Sequence, residues 1–247
     1  MKISIVTPCF NSARTIAQTI ESVLAQDYSD IEYIIVDGGS TDGTVDIVHS
    51  YGDKIAKFVS EPDRGIYDAM DKGIKMASGD IVGIINSDDF YADSAVLSKV
   101  VEAFRASGAQ TVYGDLDYVD EIDTDKMVRR WRSGEYRTGS FRWGWHPPHP
   151  SFFVRCEVYE KFGYFNDELK ISADYELMLR FLHFRGVSTA YLPSVLVKMR
   201  TGGASGAGLN ARKKAYAEDK RAWELNSQEV PFGTLALKRL RKLTQWL

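Results

Sequence analysis

The run Ile81-Val82-Gly83-Ile84-Ile85-Asn86-Ser87-Asp88-Asp89 decides the fold. A short apolar stretch of strand type ends abruptly in two adjacent carboxylates. Apolar runs bounded by polar residues read as strands buried in a sheet. In open α/β sheets, ligands collect beyond the carboxyl ends of such strands. Two carboxylates side by side repel each other there unless a cation neutralises them, and hard divalent ions take oxygen ligands. The same pair also suits the cap of a helix starting near Ala92, a common place for Asp. The neighbouring segments decide between these readings.

Upstream, strand and helix signals alternate. Residues 3–7, 31–36 and 57–60 read as strands. Between them, Asn11 or Ser12 can cap a helix with Ile16, Ile20, Val23 and Leu24 at helical spacing, and residues 44–51 and 67–77 read as further helices. The alternation predicts an α/β protein whose mostly parallel central sheet is flanked by helices. The second and fourth strands each end in acids, Asp37 with Asp42 and Asp88 with Asp89, and parallel strands put those ends on one edge where they can face one ligand. The turn Asp37-Gly38-Gly39-Ser40-Thr41-Asp42-Gly43 lets backbone approach a planar group closely, though ordinary βα turns use the same residues. No Gly-x-Gly-x-x-Gly follows the first strand and no Gly-Lys-Ser/Thr loop occurs, which argues against dinucleotide and P-loop sites.

The composition of the 247 residues is ordinary for a globular chain, and a net charge of −3 gives no sign of a nucleic-acid partner. Cys9 and Cys156 lack metal-type spacing and fit a reducing compartment better than a disulfide scaffold. The N-terminus enters a strand pattern without a signal-peptide core, and no apolar run is long enough to span a bilayer. The expectation is a cytoplasmic protein able to lie peripherally at the inner face of the membrane.

Downstream, residues 111–115 read as another strand. Residues 127–153 are dense in Arg, Trp, Phe, His and Pro and read as irregular structure with antiparallel strands. Residues 174–184 read as a helix, residues 201–210 with their four glycines as a mobile loop, and residues 211–225 as a charged helix before Pro231. The expected organisation is one domain over 1–210, in halves 1–110 and 111–210, followed by a helical extension over 211–247.

Five ordered segments resemble family 2 glycosyltransferases: Ile3-Ser4-Ile5-Val6-Thr7-Pro8-Cys9-Phe10-Asn11; Val36-Asp37-Gly38-Gly39-Ser40-Thr41-Asp42-Gly43-Thr44; Gly65-Ile66-Tyr67-Asp68-Ala69-Met70-Asp71-Lys72-Gly73 with Ala77-Ser78-Gly79-Asp80; Asn86-Ser87-Asp88-Asp89; and Ser172-Ala173-Asp174-Tyr175-Glu176-Leu177-Met178-Leu179-Arg180. The third is most similar to bacterial exopolysaccharide, O-antigen and colanic-acid-type transferases. The resemblance implies a GT-A catalytic domain over 1–210, with a nucleotide-binding half (1–110) and an acceptor-binding half (111–210), a nucleotide-sugar donor (a UDP-sugar) and inverting transfer to a hydroxyl of a saccharide acceptor, lipid-linked, in surface polysaccharide synthesis. It puts Thr7, Pro8 and Asn11 at the nucleotide, Asp37 at the uracil edge, and Asp68, Asp71, Asn86 and Asp88 among the donor contacts. It further implies that Asp89 binds Mg²⁺ or Mn²⁺ bridging the diphosphate and that Asp174 is the catalytic base. Two positions depart from the usual pattern: Asn86 stands where the motif has its first acid, and Ala173 precedes the base where an acid is common. Asp174 and Glu176 are then the local carboxylates, and at about 200° apart on a helix only one can face the sugar.

Each part answers a chemical need. A diphosphate leaves readily only when its developing charge is neutralised, and a hydroxyl attacks readily only when a carboxylate takes its proton. Three further features carry alternatives. His149 suits the diphosphate or metal, or a structural loop histidine. Trp143, Trp145 and Tyr136 offer flat faces to acceptor sugars, or belong to the core. Gly202, Gly203 and Ser205 match a closing loop, or are simply flexible. In the tail, Phe232, Leu235, Ala236, Leu240, Leu243, Trp246 and Leu247 gather on one helical side, flanked by Lys238, Arg241 and Lys242. Such a helix suits an anionic membrane interface or docks on the domain. Two competing functions remain: a sugar-nucleotide pyrophosphorylase, whose glycine- and lysine-rich phosphate loop is missing, and a Mg²⁺-binding phospho-acceptor domain, in which the segments beyond residue 127 have no role.

Overall fold

The computed structural model describes residues 1–202 and 208–245, without the side chains of 208–210, 243 and 244. Among these, nine strands form one mixed sheet in the order β3-β2-β1-β4-β8-β6-β9-β5, with β7 paired to part of β6. The first four, β1 (Ile3–Cys9), β2 (Ile31–Asp37), β3 (Lys57–Ser60) and β4 (Ile81–Ile84), run parallel, joined by α1 (Ile16–Leu24), α2 (Thr44–Ser50) and α3 (Ile66–Met76). Side chains alternate across this sheet, so the apolar runs feed two cores. Ile3, Ile5, Tyr33, Ile35 and Ile81 pack on one face with α1 and α4 (Val96–Ser107), while Val6, Ile34, Val36, Val82 and Ile84 pack on the other with α3. Gly73 brings α3 onto β1, because a Cβ there would lie 2.2 Å from Val6 Cγ1.

The downstream half extends the same sheet. The strands β6 (Thr111–Val119) and β8 (Phe152–Arg155) are antiparallel, β9 (Thr189–Arg200) runs parallel to β6, and β5 (Asp89–Tyr91) pairs with β9. The expected irregular stretch holds β7 (Met127–Trp131) and two 3₁₀ turns, followed by α5 (Cys156–Phe162). The helix expected over 174–184 is α6 (Ala173–Met178), continued by a π-helical segment at Leu179–Phe184.

Three local expectations are corrected. Neither Asn11 nor Ser12 caps α1 by its side chain. Thr15 precedes the helix, the Ser12 carbonyl accepts the Ile16 N–H at 2.9 Å, and Asn11 takes a positive φ of 49°. Asp88 and Asp89 cap no helix, because Asp89 opens β5 and α4 starts only at Val96. The helix expected at 211 starts earlier, as α7 (Gly208–Leu225); of the expected loop, residues 203–207 lie outside the described residues.

The tail docks on the domain. In α8 (Thr234–Arg241), Leu235 is buried, Thr234 Oγ1 donates to the Arg142 carbonyl at 2.7 Å and Arg241 Nε to the Trp143 carbonyl at 2.9 Å. Gly144 makes the close approach possible, since a Cβ there would meet Lys238 N at 2.2 Å. The expected amphipathic stripe is therefore divided. Leu235 turns inward, Phe232, Ala236 and Leu240 face outward, and the side chains of Leu243, Trp246 and Leu247 lie outside the described residues. Among the described residues no helix is long and apolar enough to cross a membrane. Farther up, Trp223 of α7 is fully buried and donates to the Tyr175 hydroxyl at 3.1 Å, so α7 closes the core over α6.

Candidate active site

Where β1 and β4 end, the chain opens a cleft of about 890 Å³. Its walls include Pro8 and Asn11 after β1, Asp63 and Tyr67 around the start of α3, Asn86 and Asp88 after β4, and His149 and Asp174 on the far side. Hydrogen bonds lock the loops at the strand ends together. Asn11 N donates to Ser40 Oγ at 2.7 Å, Asn11 Oδ1 accepts the Thr41 N–H at 2.9 Å, and the Ser12 and Ser87 hydroxyls meet at 2.7 Å. Positioning on rigid strand ends is what a reacting site requires.

The aspartate turn is divided between surface and interior. Asp88 is half-buried and lines the cleft; burial raises its pKa, partly offset by the positive charge of Arg200. Asp89 is fully enclosed, because the strand begins there and turns its side chain inward. Burial and then the charge of Asp88 push its pKa well up. Asn86 Nδ2 donates to Asp89 Oδ2 at 3.0 Å, while Asp89 Oδ1 and Asn86 Oδ1 are buried with no hydrogen-bond partner among the described residues. Two unsatisfied buried oxygens are costly unless something electropositive answers them. The structure thus brings Asp88, not the expected Asp89, to the cleft surface.

A residue overlooked in the sequence supports this turn. Arg200, at the end of β9, is buried, donates to the Asp88 carbonyl and to Gln18 Oε1, and lies over the Phe90 ring at 5.2 Å. Its only sequence signal is a cation closing an apolar strand-type segment at 187–200.

The other expected donor contacts separate. Pro8, Asn11, Asn86 and Asp88 line the cleft, and Thr7, Asp37, Asp68 and Asp71 do not. Thr7 is buried with its hydroxyl on Tyr33 at 3.1 Å. Asp37 is enclosed and holds its own turn, accepting from Ser60 Oγ at 2.7 Å, Ser40 N at 3.0 Å, Gly39 N at 3.1 Å and the Ser40 hydroxyl. Burial alone would raise its pKa, but those donors outweigh it and hold the carboxyl below the usual range. Asp42 likewise accepts from Ala13 N and Thr44 N, and neither member of the expected acidic pair of the second strand lines the cleft. Asp68 pairs with Arg64 at 2.9 Å and Lys72 at 3.5 Å, and Asp71 accepts the Phe165 N–H at 3.0 Å. Both carboxylates are committed to framework contacts off the cleft.

On the opposite wall, Asp174 Oδ1 accepts the Tyr175 N–H at 2.8 Å and lies 3.2 Å from the Tyr67 hydroxyl. Glu176 points away, buried in a two-pronged pair with Arg180 at 3.0 and 3.1 Å and bonded to Asn226 at 2.9 Å. His149 packs edge-on to Phe165. Burial lowers its pKa, and the opposing charge that reaches it is that of Asp174. It lines the same cleft as Asp88 and Asp174. Trp145 is core, with its indole N–H on the Ser133 carbonyl at 2.7 Å, and Tyr136 packs against that core; Trp143 is exposed away from the cleft. None of these three aromatics lines the cleft. Gly203 and Ser205 lie outside the described residues.

Among the described residues no three His, Cys, Asp or Glu side chains gather into a metal cage. The oxygens of the aspartate turn instead fit a hard cation bound by one or two carboxylates and completed by phosphate oxygens, the usual arrangement for Mg²⁺.

The glycosyl transferase family 2 profile matches residues 4–163. An uncharacterized glycosyltransferase of Mycobacterium tuberculosis is 30% identical over 186 residues, covering 72% of this chain and 68% of its own length. Among solved structures, Staphylococcus aureus TarS 1-349 with UDP-GlcNAc superposes with a TM-score of 0.71 at 17% identity, covering 92% of this chain and 66% of that one. Mannosyltransferase PcManGT from Pyrobaculum calidifontis, with GDP-Man and Mn²⁺, gives 0.62 at 17%, covering 97% and 75%. The chain thus spans roughly two thirds to three quarters of these relatives, and the fold is of GT-A type, with a mixed sheet between helices and a helical C-terminal end. Neither a pyrophosphorylase nor a phospho-acceptor domain fits that profile. The chain belongs to glycosyl transferase family 2.

Proposed function

We propose that this chain is an inverting glycosyltransferase that moves a sugar from a UDP-sugar to a hydroxyl of a lipid-linked saccharide acceptor in surface polysaccharide synthesis. One observation carries the reading: Asp88, from the turn after β4, and Asp174, from the start of α6, line one cleft, a pairing suited to a metal-assisted leaving group and a base. The nucleotide sugars held by the two structural relatives support a donor of that class.

Pro8 and Asn11 border the nucleotide, with Thr7 and Asp37 acting from behind by fixing the loops. Asp88 would hold Mg²⁺ or Mn²⁺ from the cleft surface, with Asp89 behind it in the same turn, and the ion when bound would neutralise the charge that develops on the leaving diphosphate. The acceptor hydroxyl attacks the anomeric carbon while Asp174 removes its proton. Oδ1 of Asp174 carries both hydrogen-bond contacts, so Oδ2 takes the proton. A carbon–oxygen bond to the acceptor forms as the bond to the diphosphate oxygen breaks, and its electron pair leaves with the nucleoside diphosphate. Attack from the face opposite the leaving group inverts the anomeric centre without a covalent enzyme intermediate.

A panel of UDP- and GDP-sugars with Mg²⁺ or Mn²⁺ tests this. Slow, metal-dependent hydrolysis of one or more UDP-sugars is the expected result. Failure to bind UDP and to hydrolyse any donor would overturn the reading.

A further inference from the structure

The inner face of α7 carries a carboxylate where an apolar residue would be expected. Ala222 and Trp223 are fully buried on that helix, and Glu218 is buried with them. A buried carboxylate is costly unless hydrogen bonds or a counter-charge answer it. Its ion-pair partner Lys214 is 4.0 Å from Oε1 and more than half exposed, a geometry that contributes little. Backbone answers the charge instead. Glu218 Oε2 accepts the N–H groups of Lys170 at 3.1 Å, Ile171 at 2.7 Å and Ser172 at 2.9 Å. Three successive amides converging on one oxygen form an anion nest, and bonds to an ionised acceptor are the strong kind.

Those amides lead directly into the candidate active site. Lys170, Ile171 and Asp174 line the cleft, and Glu218 stands behind them. The peptide joining Ile171 to Ser172 is held at both ends. Its N–H, on Ser172, goes to Glu218, and its C=O, on Ile171, accepts from the Tyr67 hydroxyl at 2.8 Å. The same hydroxyl is 3.2 Å from Asp174 Oδ1. Glu218 thus reaches the Asp174 carboxylate through one planar peptide and one phenol. Bonds in such a chain polarise one another, so an anion on the N–H side makes the C=O a better acceptor for Tyr67. The Ser172 carbonyl then accepts the Glu176 N–H at 3.0 Å, which sets the direction in which α6 leaves the nest.

We infer that Glu218 is a positioning residue for the transfer: from behind the cleft wall it fixes the peptide that orients Tyr67 and, through Tyr67, the Asp174 carboxylate. The inference rests on the proposed reading of Asp174 as the base and adds a residue of α7 to its support. A reacting carboxylate must be held closely in its productive geometry, so loosening this anchor costs rate rather than donor binding.

Kinetics of Glu218→Ala and Glu218→Gln, well below the melting temperature and with folding checked by circular dichroism, test this. E218A removes the acceptor oxygen, and transfer kcat should fall at least about tenfold while UDP affinity stays within about twofold of the wild type. E218Q keeps an oxygen for the three amides and should restore kcat to within about threefold. L235A, which loosens the buried contact of α8 and touches none of these groups, should lower Tm and leave kcat unchanged. E218D keeps the charge but draws the oxygen back by one methylene, and carries the same expected loss if E218A does not fold. In an Asp174→Asn background E218A should cost less than about twofold, because no base is left to position. Wild-type kcat in folded E218A or, where E218A does not fold, in E218D would overturn the inference while leaving the base reading intact. So would an E218A loss of the same size with and without the Asp174→Asn change. A folded Asp174→Asn variant that transfers at the wild-type rate is the separate failure of the base reading, and it removes this inference with it.

Discussion

Tyr67 and Asp174, distant in sequence, meet on one wall of the cleft. The Tyr67 hydroxyl is 2.8 Å from the Ile171 carbonyl and 3.2 Å from Asp174 Oδ1. Burial, and then the charge of Asp174, push the phenol pKa well above its ordinary value, so Tyr67 stays protonated and donates. One proton serves two acceptors, which fixes the carboxylate's orientation without fully satisfying it.

Tyr67→Phe should therefore weaken the positioning of Asp174. The stacking on Phe165 at 5.2 Å survives the change, so stability should fall by only about 1 kcal/mol, the usual worth of one hydrogen bond. Transfer kcat should fall roughly tenfold with UDP affinity retained, since misorientation costs rate rather than donor binding. Steady-state kinetics beside a thermal melt check this, and unchanged kcat would remove the positioning role.

Glu176→Gln should do the reverse. Glu176 is buried against Arg180, whose guanidinium also holds the Gly163 and Tyr164 carbonyls at 3.1 and 2.6 Å. Neutralising one partner of a buried pair should cost roughly 3–5 kcal/mol. The folded variant should still transfer sugar near the wild-type rate. Urea unfolding and activity assays at low temperature separate the two effects, and a folded but inactive variant would move the base to Glu176.

Asp71 predicts a pH dependence. Burial raises its pKa from the usual 3.8 to about 6, reinforced by Asp68 and opposed by the Phe165 N–H, Lys75 and Arg180. The folded chain therefore holds this proton more tightly than the unfolded one. The resulting stabilisation is full below about pH 4 and is lost as pH rises through about 6. Asp71→Asn, neutral throughout and still able to accept the Phe165 N–H, should match the wild type at pH 4. It should be more stable by about 2 kcal/mol at pH 7.5, the full shift being worth about 3 kcal/mol before solvent screening of this partly exposed side chain is discounted. Equal stabilities at both values would contradict the assignment.

Much of the donor half was legible from the sequence because its strands are buried on both faces and its turns are glycine-rich. The strands of the first three crossovers and the cleft positions of Pro8, Asn11, Asn86, Asp88 and Asp174 follow from apolar runs and motif order. What was not legible depends on partners far away in the chain. The inward turn of Asp89 needs β9 beside it, and the internal duties of Asp37, Asp68 and Asp71 depend on donors such as Ser60, Arg64 and the Phe165 N–H. Arg200 carries no local signal until Asp88 and Gln18 are brought to it. The tail's apolar stripe reads alike for a membrane face and for a docked helix, and only the fit of α8 against Gly144 separates them.

Removal of residues 232–247 should therefore destabilise the domain. It exposes the site of Leu235 and removes the Lys238 contacts with Asp219 and Tyr175. Burying one leucine is worth about 1.5–3 kcal/mol, and a cation–π contact about 0.5–2. A drop in Tm of several degrees is expected by differential scanning calorimetry. An unchanged Tm would mean the helix does not dock in solution.

The central claim, that Asp174 is the base of a sugar transfer, is tested most directly by Asp174→Asn. Asn keeps an oxygen for the Tyr175 N–H and the Tyr67 hydroxyl, so Tm and UDP affinity should stay close to the wild type. It cannot take a proton, so transfer from the donor that the wild type uses should fall by roughly 10²–10⁴. A folded Asp174→Asn variant that binds UDP normally and transfers sugar at the wild-type rate would contradict the account.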